Sequence, residues 1–461
     1  MLQCFVLLSG CAETTTNNFS NSDSDSWSTD VIGVEEQHLN IDFWLERTRN
    51  KTRVIMSGDA IREFNELTFA TDPTMVRLAE FPDTLTAESL MSRIRSISKI
   101  PDSPRFYADG REVTTDDFAV YEAGLNLETV ADINPVRFGL VVRRASMRSY
   151  PTNDSLYKAP DDLDLDRFQE NAVFPADAVA VLHESRDGEW LLVQTYNYLA
   201  WVPAEVVAIG DRDTMLNYKS RDEFLVITGD KVSSNYNPTL PEISEVQFDM
   251  GVRLPLVSHS DAAFNVHGQN PFASHIVEVP VRNSDGTLRF ERALIARSRD
   301  VNKGYLPYTR ENLLRQAFKF LGERYGWGHA YNARDCTGFV SEIYKTFGIP
   351  LPRNSGDQSR STIGVNKRFA DDDHSGRMSA LQKLDVGDLI YIPGHVVMVI
   401  GEINNKPYVI HDVSNLKYRS DDGEYYSGVL SGVSVTPFLP LSVSPETSFV
   451  DSIQTIKSIR N

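Results

Sequence analysis

Three textures of apolar spacing follow one another along this chain of 461 residues. Between residues 31 and about 135 apolar positions recur every three or four residues. In "LTAESLMSRIRSI" the side chains of Leu90, Met91, Ile94 and Ile97 share one helical face, and Pro101 and Pro104 end the pattern. From Val136 the period shortens to two. "RFGLVVRR", "AVAVLHE", "EWLLVQT" and "LAWVPAEVVAI" read as short strands parted by Asp, Gly, Asn and Pro, which predicts a small barrel. A looser copy follows in "EFLVITGD", "DMGVRLPLV", "HIVEVPVR" and "TLRFERALIARS". "SMRSYPT" and "GVRLPLV" hold comparable places in the two units, so two tandem copies of one fold are expected.

The third texture starts near Tyr308. Thr309 is an N-cap for "RENLLRQAFKFLG", whose Leu313, Leu314, Ala317, Phe320 and Leu321 make one apolar face and whose Gly322 is the stop. After a Gly-rich loop, Phe339, Val340, Ile343, Tyr344 and Phe347 define a second helix that Gly348 and Pro350 end. "DLIYI", "HVVMVIG" and "PYVIHDV" then follow as strands joined by tight turns. Helices followed by an antiparallel meander make an α+β domain. The expected boundaries are a tract over 1–30, a mainly helical clamping domain over 31–135, all-β barrels over 136–210 and 211–305, and the α+β domain over 306–461.

Charge and cysteine content narrow the function. With 64 acidic against 46 basic residues the formal charge is −18, which excludes a basic nucleic-acid face and simple adsorption to anionic lipid. Cys4, Cys11 and Cys336 are the only cysteines, with no CxxC pair, so neither a disulfide framework nor a structural zinc site is expected. The apolar run Phe5–Leu8 falls far short of the ~20 residues a membrane span needs. Leu8-Ser9-Gly10-Cys11 resembles a bacterial lipobox, although no Lys or Arg precedes it. By that resemblance Cys11 carries a lipid, Ala12 sorts the protein to the outer membrane, and residues 12–30 are a tether.

Cys336 sits at the first turn of its helix, where orphan N–H groups and the dipole favour a thiolate. The helix's apolar face runs without it. A thiol nucleophile needs a base and an orienting partner. His395 opens "HVVMVIG" and His411 ends "YVIH" on the neighbouring strand, so both reach one end of the sheet. His374 in "ADDDHSGR" reads as surface, and His329 as a substitute for a small loop residue.

"GERYGWGHAYNARDCTGFVSEIYKTFGIPLPRNSGDQS", "LDVGDLIYIPGHVVMVIG" and "YVIHDVS" together resemble the NlpC-type peptidoglycan endopeptidases, papain-like enzymes with a rearranged core. "MRSYPT…DGEWLLVQTYNYLAWVPAEVVA" resembles bacterial SH3-like domains. His329 for Gly and Thr337 for Ser depart from the family pattern. The resemblance implies Cys336 as nucleophile, His395 as base and His411 as third polar residue, with Asp335 binding the free amine of a substrate's L-alanine. It also implies Tyr325, Trp327, Thr337 and Ser355 around substrate and oxyanion and Arg353 as structural. Tyr198 and Trp201 of the first barrel are candidates for the substrate pocket, with aromatic barrel core an equal alternative. The resemblance implies no cofactor or metal, peptidoglycan or murein peptides as partners, and a periplasmic, lipid-anchored location. The expected reaction is hydrolysis of the γ-D-glutamyl–diamino acid bond. An amidase or acyltransferase with the same Cys–His–His set, a non-catalytic wall-binding lipoprotein, and a phage or secretion-system hydrolase are the alternatives.

Overall fold

The computed structural model describes residues 27–262, 264–420 and 422–460. Cys4 and Cys11, the expected lipidation site, lie outside the described residues. Among the described residues no helix is long and apolar enough to cross a membrane.

The first alternating segment forms a seven-stranded antiparallel sheet. Its spatial order is 207–210, 137–141, 178–184, 190–194, 199–203, 145–148 and 169–173. Strands 178–184, 190–194 and 199–203 are nearly continuous in buried residues, as a sheet covered on both faces requires. One face closes on Val141, Val173, Val181 and Val193. The other packs outward on Leu140, Leu182, Leu192 and Trp201. The second alternating segment is more fragmented. It comprises a three-stranded sheet (224–227, 253–255, 301–303) and two hairpins, the longer pairing Ser274–Arg282 with Leu288–Ala296.

Residues 31–135 carry four α-helices, 41–47, 58–71, 87–97 and 115–124, but no core of their own. Trp44, Leu45, Ile61 and Phe64 join the core of the C-terminal domain. Leu90, Ile94, Phe118 and Tyr121 join the core shared by the two β segments. The expectation of one helical domain therefore gives way to two halves serving different neighbours. The amphipathic period that marks a helix does not say which surface the apolar face meets.

The C-terminal region is α+β. Thr309 caps helix Arg310–Phe318 by accepting from Asn312 N at 3.1 Å. Helix Cys336–Lys345 packs on a six-stranded antiparallel sheet ordered 365–368, 455–458, 389–392, 395–403, 406–419 and 425–437. The last strand in sequence thus enters mid-sheet beside 389–392, and the 406–437 hairpin runs beyond the meander read from the sequence.

Candidate active site

Asp335 starts helix Cys336–Lys345. Its extended backbone (φ −100°, ψ 178°) and its Oδ1, which accepts from Gly338 N at 2.8 Å, make it the N-cap. Phe339, Val340, Ile343 and Tyr344 are fully buried, and this packing fixes Cys336 at the first turn, facing the start of strand His395–Ile403. Cys336 is buried, with 7% of the residue exposed. Burial and the charge of Asp335 push its thiol up to about 12, against the opposing pull of the Val396 N–H.

On the adjacent strands, His395 Nε2 and His411 Nδ1 are 2.9 Å apart, and His411 Nε2 lies 3.0 Å from Thr436 Oγ1. Burial pushes His395 down to about 4 and His411 in the same direction, so both rings are neutral. Thr436 was not read from the sequence. His411 pairs with Ser434, and Val409 with Thr436, which makes His411 and Thr436 diagonal neighbours across the hairpin. With Nε2 engaged by His411, Nδ1 of His395 is the ring nitrogen left for the thiol.

Asp335 is tied up in the fold. Oδ1 accepts from Gly338 N, Thr337 Oγ1 (2.9 Å) and Arg353 Nη1 (3.2 Å). Oδ2 accepts from Arg353 Nη2 (2.6 Å) and Gly328 N (3.1 Å). A carboxylate offers about four lone-pair sites, so none remains for a substrate amine. Burial would raise its pKa, but the Arg353 guanidinium holds it well below the usual carboxylate range. Thr337 also receives a hydrogen bond from Arg353 Nη1, so its hydroxyl belongs to the same network.

His329 fills the space behind this cap. Its backbone is left-handed (φ +66°), its ring meets Phe174 edge-on at 5.4 Å, and Nε2 is 3.3 Å from Glu342 Oε1. Burial keeps it neutral. The preceding Gly328 is also left-handed, and a Cβ there would come within 2.9 Å of the Glu170 backbone, which is why this loop needs glycine at 328. Beneath the loop lies Arg334, fully buried and unremarked in the sequence. It binds Glu342 Oε2 at 2.6 Å, both oxygens of Glu323, and Asp249 Oδ1 at 3.2 Å.

The other residues read from the sequence divide. Tyr325 lies near the thiol: burial raises its phenol pKa, and a thiolate at Cys336 would raise it further. Ser355 opens the short helix Ser355–Arg360, just past Arg353. Trp327 is committed to docking, with Nε1 donating to the Gln169 carbonyl at 3.0 Å and Arg167 lying 5.2 Å over its ring. Trp201 is a correction. It is fully buried in the barrel, its Nε1 bonded to Ser98 Oγ at 3.1 Å, so it offers substrate no surface. Tyr198 is half-buried and donates to Glu170, a carboxylate the sequence reading missed. Burial raises the pKa of Glu170, while the Tyr198 hydrogen bond and the charge of Arg353 oppose the rise. Nothing in "RFQENAV" marked it, because its role depends on how the barrel docks.

Against this geometry, two family matches fall on the two units that meet here. Residues 155–203 match the SH3 domain (SH3b1 type), and residues 322–435 match the NlpC/P60 family, a span holding Cys336, His395 and His411. The chain carries an NlpC/P60 domain. Over 240 residues it is 27% identical to the gamma-D-glutamyl-L-lysine dipeptidyl-peptidase of Bacillus cereus, covering 48% of this chain and 61% of that protein. The chain thus spans about three fifths of that relative's length. Over 59 residues it is 41% identical to the probable endopeptidase p60 of Listeria seeligeri, covering 13% of this chain and 11% of that one. An NlpC/P60 endopeptidase from Photobacterium damselae subsp. piscicida superposes with a TM-score of 0.71 at 18% identity, over 90% of this chain and 96% of that one. At that identity the likeness is one of fold. It extends beyond the NlpC/P60 domain to the β segments and the helices that join them.

Proposed function

We propose that this protein is a cysteine endopeptidase of peptidoglycan stem peptides, cutting the amide between γ-D-glutamate and the following diamino acid in fragments with a free N-terminal L-alanine. The observation that carries the reading is the buried thiol at a helix start, beside a His395–His411–Thr436 chain inside an NlpC/P60 domain. The activity named for the Bacillus relative supports the bond assignment.

Cys336 Sγ attacks the amide carbon as His395 Nδ1 takes the thiol proton. Backbone N–H groups at the helix start, that of Cys336 among them, hold the tetrahedral oxyanion. Collapse expels the diamino acid's amine, which leaves with the proton from His395, and water attacking the thioester releases the acyl fragment and restores the thiol. His411 keeps the base in its working tautomer: Nε2–H donates to Thr436 Oγ1, Nδ1 accepts from His395 Nε2–H, and the lone pair of His395 Nδ1 is left for the thiol. With Asp335 saturated, the carboxylate that meets the substrate's free amine is Glu170, next to Tyr198.

In this reading the second β segment is a divergent SH3-like copy, and the helices of 31–135 clamp the β segments to the peptidase. A lipid on Cys11 holds the protein in the cell envelope, facing the periplasm. The test is incubation of the full chain with the tripeptide L-Ala-γ-D-Glu-diaminopimelate. Release of L-Ala-γ-D-Glu by the wild type and none by Cys336→Ala is expected. No release by the wild type, with binding to isolated cell walls intact, would favour the wall-binding reading.

A further inference from the structure

Apart from the thiol site, the structure holds a cavity of about 310 Å³ where the first barrel, the second β segment and the far end of helix Cys336–Lys345 converge. Its walls include Tyr196 from the barrel, Lys219, Arg253, and Lys345 from the last turn of that helix. Lys345 is nine residues from Cys336, about 13 Å along the helix axis at 1.5 Å per residue, and none of Cys336, His395 and His411 lines the cavity.

The lining is electrically lopsided. Lys219, Lys345 and Arg253 face one carboxylate, Asp177, in a protein whose net charge is −18. Among the described residues no carboxylate lies within ion-pair distance of any of these three cations. Lys219 Nζ is held only by the Ala176 carbonyl at 3.0 Å. Lys345 Nζ lies 5.3 Å from the centre of the Phe174 ring and 5.6 Å from that of Tyr196, whose buried phenol is its polar neighbour. Arg253 stacks on Phe224 at 3.8 Å and donates to the Arg221 carbonyl. Three cations without a carboxylate partner around an aromatic-walled cavity are costly unless something uses them. The volume lies at the lower end of the range typical of small-molecule sites.

We propose that this cavity is a second binding site, for a small organic anion with an apolar or aromatic body. Its acid group sits between Lys219 and Lys345, accepting from Tyr196 Oη, and its body lies against Phe174 and Tyr305. Because the walls come from three parts of the chain, an occupant ties the β segments to the helix that carries Cys336.

The probe is 2-naphthoate, titrated into the full-length protein and followed by its own fluorescence, with neutral 2-naphthamide as the control. Saturable binding of one naphthoate per chain is expected, unchanged in Cys336→Ser. Affinity should fall at least tenfold in Lys345→Met and in Lys219→Met, hold within threefold in Lys345→Arg, and be at least tenfold weaker for the amide. Circular dichroism verifies that each variant folds, and the two lysines give independent readings should one variant fail. Absence of saturation, equal binding of acid and amide, wild-type affinity in folded lysine variants, or loss of binding in Cys336→Ser would each overturn the proposal.

Discussion

His395 Nε2 lies 2.9 Å from His411 Nδ1, and the far nitrogen of His411 is 3.0 Å from the fully buried hydroxyl of Thr436. Two neutral imidazoles sharing one proton can be arranged in two ways. Only when Thr436 accepts from His411 does His395 present a lone pair to Cys336. Replacing His411 with alanine should therefore lower kcat/KM by about 100-fold or more, the scale on which loss of an orienting partner acts. Thr436→Val should cost about tenfold and Thr436→Ser much less, with KM nearly unchanged in all three, because none of these groups binds substrate. Steady-state kinetics on the tripeptide checks this, and a wild-type rate for Thr436→Val would remove the hydroxyl from the chain.

The same burial sets the pH profile. His395 is held down to about 4 and Cys336 up to about 12, so the free enzyme rests as a neutral thiol beside a neutral imidazole. The base works only unprotonated. Activity should therefore persist as pH falls below 6.5, the ordinary imidazole value, and be lost only as pH drops through about 4. The acid limb of kcat/KM against pH measures this directly. A limb centred near 6.5 would mean that His395 is solvated in the working enzyme. For the same reason the thiol should alkylate slowly with iodoacetamide near neutral pH, since thiolate is the reactive form.

Much of this site could be read in the chain because it depends on local periodicity. The apolar face through Phe339 and Ile343 fixes the helix and leaves Cys336 at its start, and two strands joined by a short turn bring His395 and His411 to one end of a sheet. What escaped was set by pairing and docking. Thr436 reaches His411 only through the hairpin register, which shifts between Val413 and Asn415. Glu170 arrives with the barrel, and Arg334 became a buried hub because Glu323, Glu342 and Asp249 converge from three separate stretches. Trp201 was misplaced since an aromatic residue in a strand reads alike whether it faces a cleft or a core.

Glu170 and Asp335, both close to Arg353, should separate cleanly by experiment. Glu170→Gln is expected to raise KM for the free-amine tripeptide about tenfold or more while leaving the already poor cleavage of an N-acetylated tripeptide unchanged, as loss of one charge-assisted contact predicts. Asp335→Asn acts on the fold instead, leaving the buried Arg353 without its partner at 2.6 Å. That change should lower the unfolding free energy by about 3–5 kcal/mol in denaturant titrations. Greater discrimination by Glu170→Gln than by wild type between free and blocked amines would rule out its assigned role.

The last prediction concerns the residue that departs most from the family pattern. A Cβ added at Gly338 would lie 2.6 Å from His329 Nε2, so the imidazole and the bare glycine occupy one shared space at the back of the nucleophile's helix. Gly338→Ala must push the ring, the helix or both, at a cost of about 1–3 kcal/mol, the usual scale for overpacking. Displacing the first turn should also lower kcat, because Gly338 N anchors the cap at Asp335. His329→Gly suits the left-handed backbone at 329 and clears the space. In that background Gly338→Ala should cost less than about 0.5 kcal/mol, a favourable coupling of the size found for residues in direct contact. Denaturant unfolding of the four members of this double-mutant cycle measures the coupling. Additive effects would show that His329 and Gly338 are independent, and that the histidine in this loop is tolerated for some other reason than filling the space the glycine leaves.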